Sequence, residues 1–219
     1  MPNNDLKIYD WVYFAQSYVY SARLLCDQMT QNPQDITKIF IPTMYLLKHG
    51  IETFIKLVFI ILNDELGDGH RIHDSRKLIK KMGDLIAPNI TVIKVKLKQN
   101  LSAEQLSSSP DAGKIVDLKT AISSIPTLSA DLNLLTQLVL KYYHCDIVRD
   151  KIVITSIEDT QNDFFRFPDN AIKVWVDYDS VLDALSVDDI RQIEADAVKL
   201  YDTFNNLGFL LSVYKHTSS

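Results

Sequence analysis

An imidazole, a carboxylate and an amine recur at helical spacing within one apolar segment of this chain. His49, Glu52 and Lys56 follow one another at intervals of three and four residues, so a helix would place them along a single stripe. Tyr45 extends this polar stripe by one turn. The surrounding positions are almost all apolar, which is typical of a central helix whose polar groups are buried and need partners. The polar stripe is therefore either a structural ion-pair network or a functional site.

The side chains of the polar stripe have complementary chemistry. A histidine can transfer protons near neutral pH, and a carboxylate beside it can hold the ring in one tautomer. A lysine, together with an arginine, can hold a phosphate group. The structural alternative is that Glu52 and Lys56 pair across one helical turn, as such residues commonly do. Residue types and spacing leave both interpretations open.

Three long amphipathic patterns predict the fold that would position this stripe. Apolar residues recur at three- and four-residue steps over 11–29, 36–62 and 188–214. The second pattern contains the polar stripe, and its Pro42 requires a place near the helix start or at a kink. Shorter helices are expected over 75–85, ended by Pro88, and over 128–145. We therefore expect a mainly α fold, an antiparallel helical bundle.

Two segments depart from the helical pattern. Residues 163–178 place aromatic and β-branched residues on both sides of a Pro-Asp-Asn turn, which predicts a small β-hairpin before the C-terminal helix. In residues 93–98, apolar residues alternate with lysines, which fits either a strand or an exposed helix face. We interpret 90–127 as an irregular insertion within a single domain of residues 1–219.

Charge is distributed unevenly along the chain. The whole chain carries −5, which argues against a protein that binds nucleic acid over its entire surface. Residues 71–98 contain eight basic and two acidic residues, so this segment carries +6 and the remainder −11. Such a region can bind phosphates by counterion release, and a strand would put Lys94, Lys96 and Lys98 on one ligand-binding face. The alternative is a solvated lysine face without a ligand.

Several classes of function lack their sequence signatures. The chain has no Gly-rich phosphate loop and no paired CxxC, HExxH or GxSxG motif. His70 and His73 have a spacing that can bind metal, but no neighbouring cysteine or acidic pair completes a ligand set, so we expect no metal or other cofactor. Cys26 and Cys145 are expected to be reduced, buried thiols. Without a signal peptide or an apolar run of spanning length, we expect a cytoplasmic protein that does not enter the membrane.

Three short motifs resemble a branch of the HEPN superfamily. They are Leu47-Lys48-His49-Gly50-Ile51-Glu52 with Lys56, then Gly69-His70, then Phe165-Arg166-Phe167-Pro168. The resemblance implies a four- or five-helix domain with long antiparallel first and second helices that usually forms homodimers. It also implies an RNA- or nucleotide-interacting protein of a bacterial phage-defence or toxin–antitoxin locus, with a partner protein encoded nearby. Active members of the superfamily are metal-independent ribonucleases.

The resemblance implies which residues form the site. The catalytic candidates are His49, Glu52, His70 and Arg166, with Lys56 as a ligand-binding residue, and His70 and Arg166 are expected to lie within reach of the polar stripe. HEPN ribonucleases pair an arginine with a histidine four to six residues downstream, and no arginine of this chain has one. That pairing cannot be carried over. Two hypotheses follow: a non-standard ribonuclease, and a non-catalytic module that binds a partner or oligomerises.

Overall fold

A computed structural model describes residues 8–63, 75–143 and 182–216 of the chain. Their regular structure is helical throughout, without a β-strand in these ranges. The helices are α1 (Ile8–Gln31), α2 (Ile36–Asn63), α3 (Ser75–Gln105), α4 (Ala112–Ser124), α5 (Leu128–Tyr143) and α6 (Val187–His216). Two short 3-10 helices, Pro33–Asp35 and Ile125–Thr127, connect α1 to α2 and α4 to α5. The prediction of a mainly α fold is confirmed.

The first two helices form an antiparallel pair with a close contact. Only one 3-10 turn joins α1 to α2, and Tyr18 of α1 meets His49 of α2. Gly50 permits the close approach, because a Cβ atom at this position would lie 2.8 Å from Val19 Cγ2 and 3.0 Å from the carbonyl oxygen of Ala15. The position next to His49 is therefore a glycine for a steric reason: a larger residue would push the two helices apart.

α6 completes a three-helix core by packing on both α1 and α2. The ring of Phe204 stacks on Phe54 of α2, with 4.1 Å between ring centroids and 7° between ring planes, and both side chains are fully buried. On the α1 side, a Cβ atom at Gly208 would lie 2.8 Å from both methyl carbons of Val12. The three long apolar patterns of the sequence thus pack together, as they predict.

α3 is much longer than the sequence pattern predicts. The expectation of a short helix over 75–85, ended by Pro88, is wrong, because α3 continues through this proline to Gln105. A proline inside a helix removes one hydrogen bond and costs about 3 kcal/mol or more. Pro88 itself is exposed, while Ile86 and Ile93 on either side of it are fully buried. Burial of this apolar face offsets the cost and keeps the helix continuous.

The segment 90–127 is helical rather than an irregular insertion. Residues 90–105 form the second half of α3, and the loop 106–111 leads directly into α4. The side chain of Asp111 caps α4 by accepting hydrogen bonds from the backbone amides of Gly113 and Lys114. The sequence interpretation is thereby corrected: α3 and α4 are neighbouring parts of the bundle.

The remaining sequence predictions concern the β-hairpin, the two cysteines and the absence of a membrane-spanning helix. The β-hairpin predicted over 163–178 and the thiol of Cys145 both lie outside the described residues. Cys26, by contrast, is a free and fully buried cysteine of α1, as predicted. In residues 8–63, 75–143 and 182–216, no helix combines the length and apolar character needed to cross a membrane.

Candidate functional site

The polar stripe contains an ion pair on α2. The ammonium nitrogen of Lys56 lies 2.5 Å from a carboxylate oxygen of Glu52, one helical turn away. The two side chains are only 15% and 6% exposed, so the pair is largely withdrawn from water. Removing one member of such a pair would leave the other charge buried, which is strongly destabilising. The pairing that the structural interpretation requires is therefore present.

His49 is held between two tyrosine rings. Its ring stacks on Tyr45, with 5.6 Å between centroids and 9° between planes, and it makes an edge contact with Tyr18 at 4.7 Å and 84°. Phe14 extends this aromatic row by lying 6.0 Å from Tyr18. His49 and both tyrosines are half-buried, so the imidazole has a defined orientation and still reaches the surface. Such a ring can transfer a proton, and such a row can stack on a nucleobase.

The structure describes three residues of the predicted site, the catalytic candidates His49 and Glu52 and the ligand-binding candidate Lys56. His49, Glu52 and Lys56 lie within two turns of α2. His70 and Arg166 lie outside the described residues, so their approach to the polar stripe stays a prediction. Among the residues that the structure describes, no group of three His, Cys, Asp or Glu side chains is arranged to hold a metal ion.

Of the two interpretations of residues 93–98, strand or helix face, the structure has the helix, so Lys94, Lys96 and Lys98 do not share the single face that a strand would give them. Helical geometry puts Lys94 and Lys98 on one face and turns Lys96 about 200° away from Lys94. Lys94 and Lys98 are exposed. Lys96 is half-buried, and its ammonium nitrogen lies 5.3 Å from the ring centroid of Tyr214 on α6. Lys96 thus packs against the bundle, while the other two lysines face solvent.

Exposed lysines continue along the outer face of α3. The basic ridge, as we name it, consists of Lys77, Lys80, Lys81, Lys94 and Lys98, all of them exposed. α3 contains seven basic and two acidic residues and therefore carries +5. One of these acids, Glu104, is engaged by Lys114 of α4 at 2.8 Å. Lys80 and Lys98 are five helical turns apart on the same side, a distance of about 27 Å.

A second buried polar cluster, centred on Asp196 of α6, was not predicted. Its carboxylate is part of a residue only 2% exposed, and it accepts hydrogen bonds from the hydroxyl of Tyr142 at 3.0 Å and from the amide of Gln192 at 3.1 Å. It also forms an ion pair with Lys141 of α5. The sequence signal that could have revealed this cluster is the position of Asp196 on the mainly apolar face of α6, beside Ala197.

The surroundings of this cluster keep two nearby groups protonated. Burial raises the pKa of Tyr142 well above its usual value, and the negative charge of Asp196 adds to this effect. Burial likewise raises the pKa of Cys26 to about 12, with a smaller contribution from Glu194. A thiol with such a pKa carries almost no thiolate at neutral pH and is a poor nucleophile. The Asp196 cluster is therefore a structural connection between α5 and α6 rather than a second reactive site.

Comparisons of this chain with known protein families, with curated proteins and with solved structures find no match. Its relationship to the HEPN superfamily accordingly stays a prediction that rests on the short motifs. The features of the chain itself that bear on function are the basic ridge on α3 and the aromatic row between α1 and α2.

Proposed function

We propose that this protein interacts with RNA and that the basic ridge of α3 contacts the phosphate backbone. The observation that carries the proposal is the concentration of exposed lysines on one long helix that carries +5. Lysines that neutralise phosphates release condensed counterions, which provides most of the affinity of sequence-independent binding. The ridge spans about 32 Å from Lys77 to Lys98, which fits an extended polyanion better than a single mononucleotide.

The negative charge of the remaining chain restricts where RNA can approach the protein. Because the whole chain carries −5 and α3 carries +5, all other residues together carry −10. RNA is repelled by most of such a surface and attracted to one helix. In this proposal, α3 therefore determines how the nucleic acid approaches.

The catalytic part of the proposal assigns proton transfer to His49, in a non-standard, metal-independent ribonuclease of a bacterial defence or toxin–antitoxin system. Its ring is half-buried and oriented by Tyr18 and Tyr45. An imidazole can accept a proton from a ribose 2′-hydroxyl as that oxygen attacks the adjacent phosphate. The bond from phosphorus to the 5′-oxygen of the next nucleotide then breaks, and the leaving oxygen takes up a proton from water, which yields a 2′,3′-cyclic phosphate and a free 5′-hydroxyl. His70 and Arg166 are the further predicted members of this site.

The binding part is tested by fluorescence anisotropy with single-stranded and hairpin RNA over a range of salt concentrations. Replacing Lys80, Lys94 and Lys98 together by glutamine should weaken binding and reduce the salt slope by up to roughly 2 units, at about 0.7 per lost contact. The matched control replaces three exposed basic residues on other helices by glutamine, namely Lys38, Lys119 and Arg191, none of which touches the Asp196 cluster. It removes the same charge and should leave the slope unchanged. Equal weakening in both triple variants, or no binding at low salt, contradicts the proposal.

The catalytic part is tested separately by RNA cleavage in the presence of EDTA. The unmodified chain should cleave RNA, and His49→Gln should lose cleavage while it retains binding, because the substitution removes the imidazole and leaves the basic ridge intact. A chain that binds RNA through the basic ridge but never cleaves it refutes the catalytic part only.

A second candidate function is a module that binds a partner or oligomerises. α1 exposes five large hydrophobic residues: Trp11, Tyr13, Phe14, Tyr20 and Leu24. Single exposed hydrophobic residues are ordinary, but several on one helix indicate a surface that another molecule covers. Aromatic residues are also the type most enriched in protein interfaces.

A further inference from the structure

α1 and α6 leave an open cleft on the outer side of the bundle, with a volume of about 320 Å³. It is lined by Val19, Tyr20, Arg23, Ala197, Val198, Tyr201 and Asp202. Val19 and Ala197 are fully buried and form its floor. Tyr20 and Tyr201 stand at its mouth, 46% and 39% exposed, with 6.3 Å between their ring centroids. The cleft is therefore apolar at its base and aromatic at its opening.

Apolar side chains continue beyond the cleft on both helices. Tyr13 and Leu24 lie seven residues before and four residues after Tyr20, so helical periodicity places them on the same side of α1. The outer patch, as we call it, consists of Tyr13, Tyr20, Leu24, Val198 and Tyr201, which are 37–71% exposed. Five such side chains offer on the order of 500 Å² of surface. A standard interface buries about 800 Å² per partner, and slightly more than half of that area is apolar. The outer patch is therefore large enough to supply the apolar part of a standard interface.

Two opposite charges lie on the walls of the same cleft. Arg23 belongs to α1 and Asp202 to α6, and both are exposed. In the part of the chain that the structure describes, neither side chain forms a hydrogen bond or an ion pair, whereas Arg191 near the start of α6 pairs with Asp188 at 2.8 Å. A surface with one free cation and one free anion is complementary to itself. Under a two-fold axis, each charge of one copy can meet the opposite charge of the other.

We propose that the cleft and the outer patch form the interface of a two-fold symmetric dimer of this chain. The outer patch provides the buried apolar area, and two reciprocal pairs between Arg23 and Asp202 set the register of the two copies. Such a dimer gives the second candidate function a defined surface and a defined partner, a second copy of this chain. It is independent of RNA binding, because the basic ridge lies on α3, which contributes no residue to the cleft.

The experiment is a charge-reversal series measured by light scattering and sedimentation over a range of concentrations. The unmodified chain should be a dimer. Arg23→Asp and Asp202→Arg should each raise the dimer dissociation constant by at least about 100-fold. Each single reversal turns both pairs across the two-fold axis into pairs of like charge. The double variant restores both attractive pairs and should dimerise again. A mixture of the two single variants should form a heterodimer, since every facing pair is then of opposite charge.

The matched controls are Asp117→Arg and Lys119→Asp on α4, which reverse exposed charges outside the outer patch and should leave the dimer intact. Circular dichroism checks that each variant remains helical, which we expect because every replaced side chain is exposed. A chain that is monomeric at every concentration overturns the proposal. So does a dimer that survives both single reversals, or a mixture that yields no heterodimer, whatever the RNA-binding measurements show.

Discussion

Replacing Asp196 by alanine should destabilise the bundle at the contact between α5 and α6. The carboxylate accepts hydrogen bonds from Tyr142 at 3.0 Å and Gln192 at 3.1 Å, and it pairs with Lys141. The alanine variant leaves these donors without their acceptor. Tyr142 is only 2% exposed, so water cannot reach its hydroxyl unless the two helices separate.

The size of the effect follows from the burial of each partner. Removing one member of a buried ion pair costs about 3–5 kcal/mol. The side chain of Lys141 is 25% exposed and can turn toward water, which places the expected loss at the low end, about 3 kcal/mol. That is a large fraction of the 5–15 kcal/mol of free energy that stabilises a typical domain.

The assay is urea-induced unfolding followed by circular dichroism, with the free energy extrapolated to water. Asp117→Ala on α4 is the matched control, because Asp117 is exposed and forms no hydrogen bond or ion pair with any residue in the described ranges. It should change the free energy of unfolding by no more than about 0.5 kcal/mol. A loss below about 1 kcal/mol for Asp196→Ala would refute the assignment of a buried, satisfied network.

Three further predictions concern helix contacts and pH. Gly50→Ala should lower the free energy of unfolding in urea by about 1–3 kcal/mol, because its new Cβ would lie 2.8 Å from a side chain of α1. Gly83→Ala is the control: its Cβ would have nothing within 4 Å, and the variant should be more stable by up to about 1 kcal/mol. Equal effects of the two substitutions would contradict the close approach of α1 and α2 at Gly50. Phe54→Ala should lower the free energy of unfolding by about 3–5 kcal/mol by removing a fully buried ring stacked on Phe204, and a loss under about 1 kcal/mol would contradict that packing. Because the pKa of Cys26 rises from 9.0 to about 12 in the folded chain, its contribution to stability is complete below pH 9 and is lost between pH 9 and 12. Cys26→Ala should reduce the decline in unfolding free energy over that range, and an unchanged decline would exclude the thiol as its cause.

The long helices could be predicted from the sequence because each one buries a single apolar stripe. The ranges 11–29, 36–62 and 188–214 all fall within helices of the structure. The start of α6 is also fixed by local contacts, because the backbone amide of Ser186 donates to the Asp189 carboxylate at 2.8 Å and the Asp189 amide donates to the Ser186 hydroxyl at 3.2 Å. Such signals involve residues within one or two turns of each other.

The extent of α3 could not be predicted because it depends on packing between helices. Locally, Pro88 favours a helix end, and the alternation of apolar residues with lysines over 93–98 fits a strand equally well. Burial of Ile86, Ile93 and Leu97 in the bundle decides for a helix that continues to Gln105. Tertiary contacts outweigh local preference when a whole apolar face is buried.

At the candidate site, too, the contacts within one helix could be predicted from the sequence, and the contacts between helices could not. Periodicity alone placed Glu52 and Lys56 on one stripe, and they pair there because residues four apart on a helix are neighbours. The contact of Tyr18 with His49, the burial of Asp196 and the cleft between α1 and α6 all join residues far apart in sequence. Such contacts depend on the crossing and register of whole helices, which all of their packed side chains determine together and no local segment encodes.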